Sequence, residues 1–181
     1  MDSKLQIISG KHRGRRLALP DGARPTQNRA RIALFNMLES LKAAPDVVWD
    51  AFAGSGAFGI EFLSRHAAIK VKFTDISPDS IKTIKKNLVG IGGAAEVSQT
   101  DAIAAVDKYG ADADLVFIDP PFAAGDLGAA FVKKIAMAAK SGTILVWELE
   151  NGANFDFSDA DWTVVRDKTY GRARFLILKK S

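Results

Sequence analysis

Four short runs in the middle of this 181-residue chain end at, or just before, an aspartate. Val47-Val48-Trp49 leads to Asp50, Val71-Lys72-Phe73-Thr74 to Asp75, Ala95-Glu96-Val97-Ser98 nearly to Asp101, and Leu115-Val116-Phe117-Ile118 to Asp119. Each reads as a strand, and helix patterns lie between them. One helix is expected over about Ala57–Arg65. Another opens with Ser77 as N-cap and Pro78 in its first turn, and places Ile81, Ile84 and Leu88 on one face. Asp101 is an N-cap candidate for residues 102–108. Further on, the pattern predicts a helix over about Gly128–Lys140 and a buried strand over Thr143–Trp147. Antiparallel-type strands Trp162–Arg166 and Arg174–Leu178 follow, flanking a Tyr170-Gly171 turn. Such alternation requires a mostly parallel sheet with helices on both faces and ligands at the carboxyl ends of the strands. The aspartates stand at those ends.

The chain before this unit is different. Leu5–Ile8 and Arg16–Leu19 read as a small hairpin around a polar Gly10–Gly14 stretch, and apolar residues at helical spacing predict a helix over Gln27–Leu41. Residues 1–31 contain eight Lys/Arg and two acids, whereas the other 150 carry 17 bases and 19 acids. A segment of +6 therefore joins a body of −2. That asymmetry suits a phosphate-binding arm, although a solubilising tail would look similar. Arginines outnumber lysines six to two in this segment, which favours recognition of oxygens by a planar fork. The expected organisation is a basic arm over 1–26 and a larger domain over 27–181. Lys11, Arg13, Arg15, Arg16, Arg24 and Arg29 are the candidate nucleic-acid contacts.

The absence of cysteine excludes disulfides, iron–sulfur clusters, zinc ribbons and thiol nucleophiles, and two isolated histidines leave no histidine-based metal site. No run approaches the length of a membrane span, and the first residues lack a signal-peptide core. A reducing cytoplasm and a monomer without metal are expected.

Gly54-Ser55-Gly56-Ala57-Phe58-Gly59 is a G-x-G-x-x-G loop between a strand and a helix. It fits a dinucleotide site, a tight structural turn or another nucleotide site. Asp50-Ala51-Phe52-Ala53 separates strand from glycine, and Asp50 would repel a pyrophosphate but attract an ammonium or sulfonium group. S-adenosylmethionine, a cation with an amino-acid tail, suits this loop better. Asp75 ends the next strand, where a ribose-binding carboxylate belongs, and Asp101 could accept a hydrogen bond from an adenine amino group.

Asp119-Pro120-Pro121-Phe122 is the most specific feature. The prolines have no N–H and fixed φ angles, so their carbonyls and the Asp119 carboxylate form an acceptor cluster suited to an exocyclic amine. Phe122 offers a face on which a base could stack. A proline-stiffened loop leaving a buried strand is the plainer reading of the same residues.

These motifs resemble those of the class I S-adenosylmethionine-dependent amino-methyltransferases. Nearly the whole chain resembles the RsmD-type family, which methylates guanine N2 in bacterial 16S ribosomal RNA. The matching elements are Ile7-Ile8-Ser9-Gly10 with Arg13-Gly14-Arg15-Arg16-Leu17, Arg24-Pro25-Thr26 with Arg29 and Leu34-Phe35-Asn36, Asp50–Gly56, Asp119–Phe122, and Tyr170-Gly171. Ile32 stands where the family usually has an acid, and Asp75 where Glu is commoner. The resemblance implies a Rossmann-like α/β fold with a seven-stranded sheet and a small N-terminal hairpin arm. It implies S-adenosylmethionine held by Asp50, Phe52, Gly54, Gly56, Asp75, Ile76, Asp101, Ala102 and Thr26, with Arg24 near the carboxylate end. Asp119, Pro120, Pro121 and Phe122 would carry the chemistry. The implied partner is 16S ribosomal RNA, or a small ribosomal subunit during assembly. Competing readings are an adenine-N6 DNA methyltransferase, an NAD-dependent oxidoreductase and a non-catalytic RNA-binding module.

Overall fold

A computed structural model describes residues 5–23, 28–121, 126–152 and 161–181. Helix α1 (Asn28–Ser40) precedes an alternating series: β1 (Val47–Asp50), α2 (Ala57–Arg65), β2 (Lys70–Asp75), α3 (Pro78–Leu88), β3 (Ala94–Gln99), α4 (Ala102–Tyr109), β4 (Leu115–Ile118), α5 (Leu127–Ala136) and β5 (Ile144–Glu150). Strands β6 (Trp162–Tyr170) and β7 (Ala173–Lys180) close the chain. The seven strands form one sheet in the order β3-β2-β1-β4-β5-β7-β6. Neighbours from β3 to β5 are parallel, while β7 runs antiparallel to both β5 and β6. The strand order reverses between β1 and β4, so the crevice outside their carboxyl ends is the natural ligand site. This is the Rossmann-like class I methyltransferase fold. Among the described residues, no helix is long and apolar enough to cross a membrane.

Alternation along the strands supplies both faces of the sheet. Val48, Phe73, Phe117, Val146 and Phe175 belong to one buried cluster with Leu34, Phe35, Phe58, Phe62 and Ile84 of α1–α3. Trp49, Val116, Ile118 and Trp147 belong to a second cluster with Val106, Phe131 and Ile135 of α4 and α5. The caps predicted for α3 and α4 are present: Ser80 N–H donates to Ser77 Oγ at 3.4 Å, and Ala104 N–H to Asp101 Oδ1 at 2.9 Å.

Some elements differ from the sequence pattern. Helix α5 stops at Ala136 rather than near Lys140, because the chain tightens into an i→i+3 turn in which Ala138 N–H meets the Ile135 carbonyl. Strand β5 runs from Ile144 to Glu150 because β7 continues to pair with it, Glu150 opposite Ala173. Strands β6 and β7 are longer than expected and carry a bulge between Val164 and Arg166.

The N-terminal segment folds back as a short hairpin around one antiparallel bridge, Gln6 with Arg16, in which Ile7 N–H donates to the Arg15 carbonyl at 2.9 Å and Leu17 N–H to the Leu5 carbonyl at 3.0 Å. The next donors after Ile7 go to α2. The N–H groups of Ile8 and Ser9 meet the Glu61 carboxylate of α2 at 2.8 and 2.9 Å. Lys11 N–H reaches the Ser64 carbonyl at 2.8 Å, and His12 N–H reaches Ser64 Oγ at 3.0 Å. Gly10 lies so close to α2 that an added Cβ would fall 2.0 Å from the Ser64 carbonyl oxygen. Leu5, Ile7 and Leu17 are buried in the α1–α3 cluster.

Glu61 is fully buried and binds two cations as well, Arg31 at 3.3 Å and Arg65 at 2.9 Å. Removing its charge leaves Arg31 buried opposite a neutral group and weakens the acceptor for Ile8 and Ser9. Glu61→Gln should therefore lower unfolding free energy by about 3 kcal/mol in urea titration. Hydrogen exchange should show Ile8 and Ser9 losing protection before the sheet does.

Candidate active site

The carboxyl ends of β1, β2 and β4 bring Asp50, Asp75 and Asp119 onto one rim, and each sits differently. Asp50 is 2% exposed and Oδ2 accepts from Gly59 N–H at 3.1 Å, in the first turn of α2. Loss of hydration raises its pKa to about 7. The Gly59 N–H opposes that rise, Asp75 and Asp119 reinforce it, and Arg31 opposes it more weakly. Asp119 is half-buried at the end of β4, and burial likewise raises its pKa to about 7. Three carboxylates so close to one another, with two resisting ionisation, create a site that favours a positive ligand.

Asp75 shapes the glycine loop. Its Oδ2 accepts from Gly54 N–H at 2.8 Å and its Oδ1 from Ser77 N–H at 2.9 Å. Gly54 and Gly56 take positive φ of 53° and 75°, which other residues adopt at a cost. Gly59 is required by packing, since a Cβ there would lie 2.4 Å from the Phe73 ring. Phe52, half-buried beside the loop, contacts Phe131 edge-on at 5.7 Å between ring centres. Ile76 is 69% exposed next to Asp75, leaving an apolar surface on the rim. Asp101 is exposed and caps α4 through Oδ1, and Ala102 behind it is buried. Pro120 is buried and Pro121 exposed. Thr26, Arg24 and Phe122 lie outside the described residues.

The basic candidates separate into two kinds. Lys11, Arg13, Arg16 and Arg29 are exposed. Arg15 instead donates to the Val89 and Asn87 carbonyls at the end of α3, where a cation meets the negative pole of the helix.

Two polar residues escaped sequence reasoning. Asn87 Nδ2 donates to the Ser55 carbonyl of the glycine loop at 2.9 Å and to the Ala18 carbonyl at 3.0 Å, while its Oδ1 accepts from Ala18 N–H at 2.8 Å. It therefore ties the arm to the loop. Glu148 is 7% exposed and follows Trp147, which pairs with Ile118; Asp119 and Glu148 are thus the next residues on adjacent strands. Its charge also acts on Arg31. The available signal was a polar residue inside an otherwise apolar face or strand, which marks a buried contact without naming its partner.

The profile of the family described as Conserved hypothetical protein 95 matches residues 5–179. The chain belongs to that family. Ribosomal RNA small subunit methyltransferase D of Escherichia coli (strain K12) is 34% identical over 187 residues, covering 98% of this chain and 90% of the relative. The YlbH protein of Bacillus subtilis (strain 168) is 30% identical over 185 residues, covering 97% and 99%. Among solved structures, the E. coli protein yhhF superposes with a TM-score of 0.83 at 31% identity, covering 98% of each chain. The chain thus matches these relatives over nearly its full length.

The two raised carboxylates have a thermodynamic consequence. A proton held more tightly in the folded than in the unfolded chain stabilises the fold below the ordinary carboxylate value of 3.8. That contribution is lost as pH rises through about 7. The melting temperature of the ligand-free protein should fall across this window. Asp50→Asn, which keeps an acceptor for Gly59 N–H, should flatten the fall and melt higher than wild type above it. An unchanged profile in thermal circular dichroism would contradict the assignment.

Proposed function

We propose that the protein transfers a methyl group from S-adenosylmethionine to the exocyclic N2 of a guanine in small-subunit 16S ribosomal RNA. The observation that carries this reading is the concentration of Asp50, Asp75 and Asp119 at the sheet switch point, where burial, reinforced by mutual repulsion, raises the pKa of Asp50. An anionic dinucleotide would add to that repulsion, whereas a sulfonium and an α-ammonium relieve it. The residues present fit this cofactor. The glycine loop and Asp50 would hold its methionine end, Asp75 its ribose hydroxyls, and Ile76 with Asp101 and Ala102 its adenine. Asp75 keeps acceptor capacity for this, because each oxygen has a second lone pair beyond the N–H bond it makes. A ribosomal RNA methyltransferase among the full-length relatives supports RNA as the substrate.

The bound cofactor supplies a methyl group activated on a positive sulfur. The chain prepares the acceptor. An aromatic exocyclic amine is a poor nucleophile while its lone pair is conjugated with the ring. Hydrogen bonds from its two N–H groups to Asp119 and the Pro120 carbonyl would draw the nitrogen towards tetrahedral geometry and release that lone pair. Positive charge then develops on nitrogen, opposite a carboxylate preorganised to stabilise it. With a pKa raised to about 7, Asp119 is also suited to take the proton the amine gives up. Phe122 would stack on the base, which must leave its helix or loop to enter.

Asp119→Ala should lower the rate of labelled-methyl transfer to small ribosomal subunits lacking the modification by about 100-fold or more, with cofactor affinity by calorimetry unchanged. Near-normal turnover would dismiss this mechanism, and methyl label found only in DNA would dismiss the RNA substrate. Phe122→Ala should weaken target binding by about 1–3 kcal/mol. Cofactor affinity should rise with pH through about 7, because the cation binds best to ionised Asp50. Proton release on binding, measured in buffers of different ionisation enthalpy, is the matching signature.

A further inference from the structure

Helix α3 and the arm form a single surface. Residues 12–21 run along α3 from its carboxyl end to its amino end. The His12 ring meets the Ile91 carbonyl at 2.7 Å, and Arg15 holds the Val89 carbonyl. Asn87 brackets Ala18 with two hydrogen bonds, and Asp21 N–H reaches Asp79 Oδ2 at 2.9 Å. The packed face of α3 takes Ile81, Ile84 and Asn87, leaving Lys82, Lys85 and Lys86 exposed. Asp79, Lys82 and Lys86 lie in one i, i+3, i+7 row, so Lys82 and Lys86 border the docked arm and Lys85 stands one row further out. Across that border, Arg13 and Arg16 are exposed on the arm while Arg15 between them points into α3.

These five cations are exposed together on one surface, without a neutralising partner among the described residues. Among the described residues, none of Arg13, Arg16, Lys82, Lys85 and Lys86 is in an ion pair, and the acid nearest in the row, Asp79, already accepts from Asp21 N–H. On the opposite side of the sheet, Lys108 of α4 is paired with Glu96 at 3.0 Å, Lys134 of α5 with Asp107 at 2.9 Å and Lys140 after α5 with Asp114, while Lys133 stands alone among the described residues. Repulsion among unpaired cations held on one rigid ridge is relieved by a polyanion, and a solvated helix face has no need of a docked arginine-bearing strap.

We infer that Lys82, Lys85 and Lys86 of α3, with Arg13 and Arg16 of the arm, form one continuous binding surface for the phosphate backbone of RNA. Arg15 serves it as a positioning residue that fastens the arm to α3 rather than as a phosphate ligand. The inference rests on the RNA reading above and extends it from the arm to helix α3. Backbone phosphates carry no sequence information, so this ridge would set affinity and orientation while the acceptor pocket selects the base.

The test measures binding of full-length protein to a transcribed fragment of small-subunit ribosomal RNA over a range of KCl concentrations. Each phosphate contact contributes about 0.7–0.9 to the slope of log affinity against log salt. The combined variant Lys82→Gln/Lys85→Gln/Lys86→Gln should flatten that slope by about 2 and weaken low-salt binding by about 10- to 100-fold. Cofactor affinity and the circular dichroism spectrum should stay at wild-type values. A charge-matched control, Lys42→Gln/Lys133→Gln/Lys179→Gln, removes three exposed lysines from other surfaces and should keep the wild-type slope. If the two triple variants share one slope, the ridge is not the RNA surface. A wild-type protein that neither binds nor methylates this RNA would instead overturn the RNA reading itself.

Discussion

The buried Glu61 carboxylate is the contact on which the other parts converge. It receives two backbone N–H groups from the N-terminal segment, the Arg31 guanidinium from α1 and the Arg65 guanidinium from its own helix. A buried ion pair is stabilising only when further hydrogen bonds satisfy its remaining valences, and these do. Arg31 donates also to the Gln6 and Ala57 carbonyls at 2.9 and 3.2 Å. The chain before β1 is thereby fixed to the helix that begins at the glycine loop. Ile32 is 41% exposed on α1, while Arg31 turns inward and takes its compensating charge from Glu61 of α2.

A second link runs through Asn87. One side chain holds both the Ser55 carbonyl in the loop and the Ala18 backbone in the arm, while Asp75 fixes the same loop from the other side through Gly54. The cofactor loop and the basic arm therefore share supports. Displacing either costs hydrogen bonds of the other, a physical basis for coupling the two binding events.

Strands β1, β2 and β4 are legible in the sequence because each is a short apolar run stopped by an aspartate, and Ser77 and Asp101 announce their helices by cap chemistry. The outer parts are less legible for reasons of the same kind. Residues 167–170 lie exposed on the sheet edge, so no apolar alternation marks the true length of β6. The expected N-terminal hairpin is present but stops at Ile7, because Glu61, more than fifty residues later, takes the N–H groups of Ile8 and Ser9. Candidate ligand residues are readable from strand ends, whereas Asn87 and Glu148 require knowing which segments meet. Arg15 shows the limit of charge counting: the composition of the arm treats its arginines alike, but the geometry uses this one to hold carbonyls.

The charge distribution also limits how a nucleic acid can approach. Burial raises Asp50 and Asp119 to about pKa 7, with the neighbouring carboxylates adding to the rise at Asp50, and carboxylates on the rim repel phosphate. An RNA strand laid across the sheet switch point would meet three carboxylates with its own negative backbone. Only the uncharged base can enter at low electrostatic cost, so the backbone must be held to one side and the nucleotide swung inward. A cationic ridge on α3 and the arm, displaced from the crevice yet joined to its glycine loop, meets that requirement. The acidic pocket and the basic flank are in this sense one device. On the proposed reading the first would accept a sulfonium and an amine, and the second would keep the phosphates where they do not oppose either.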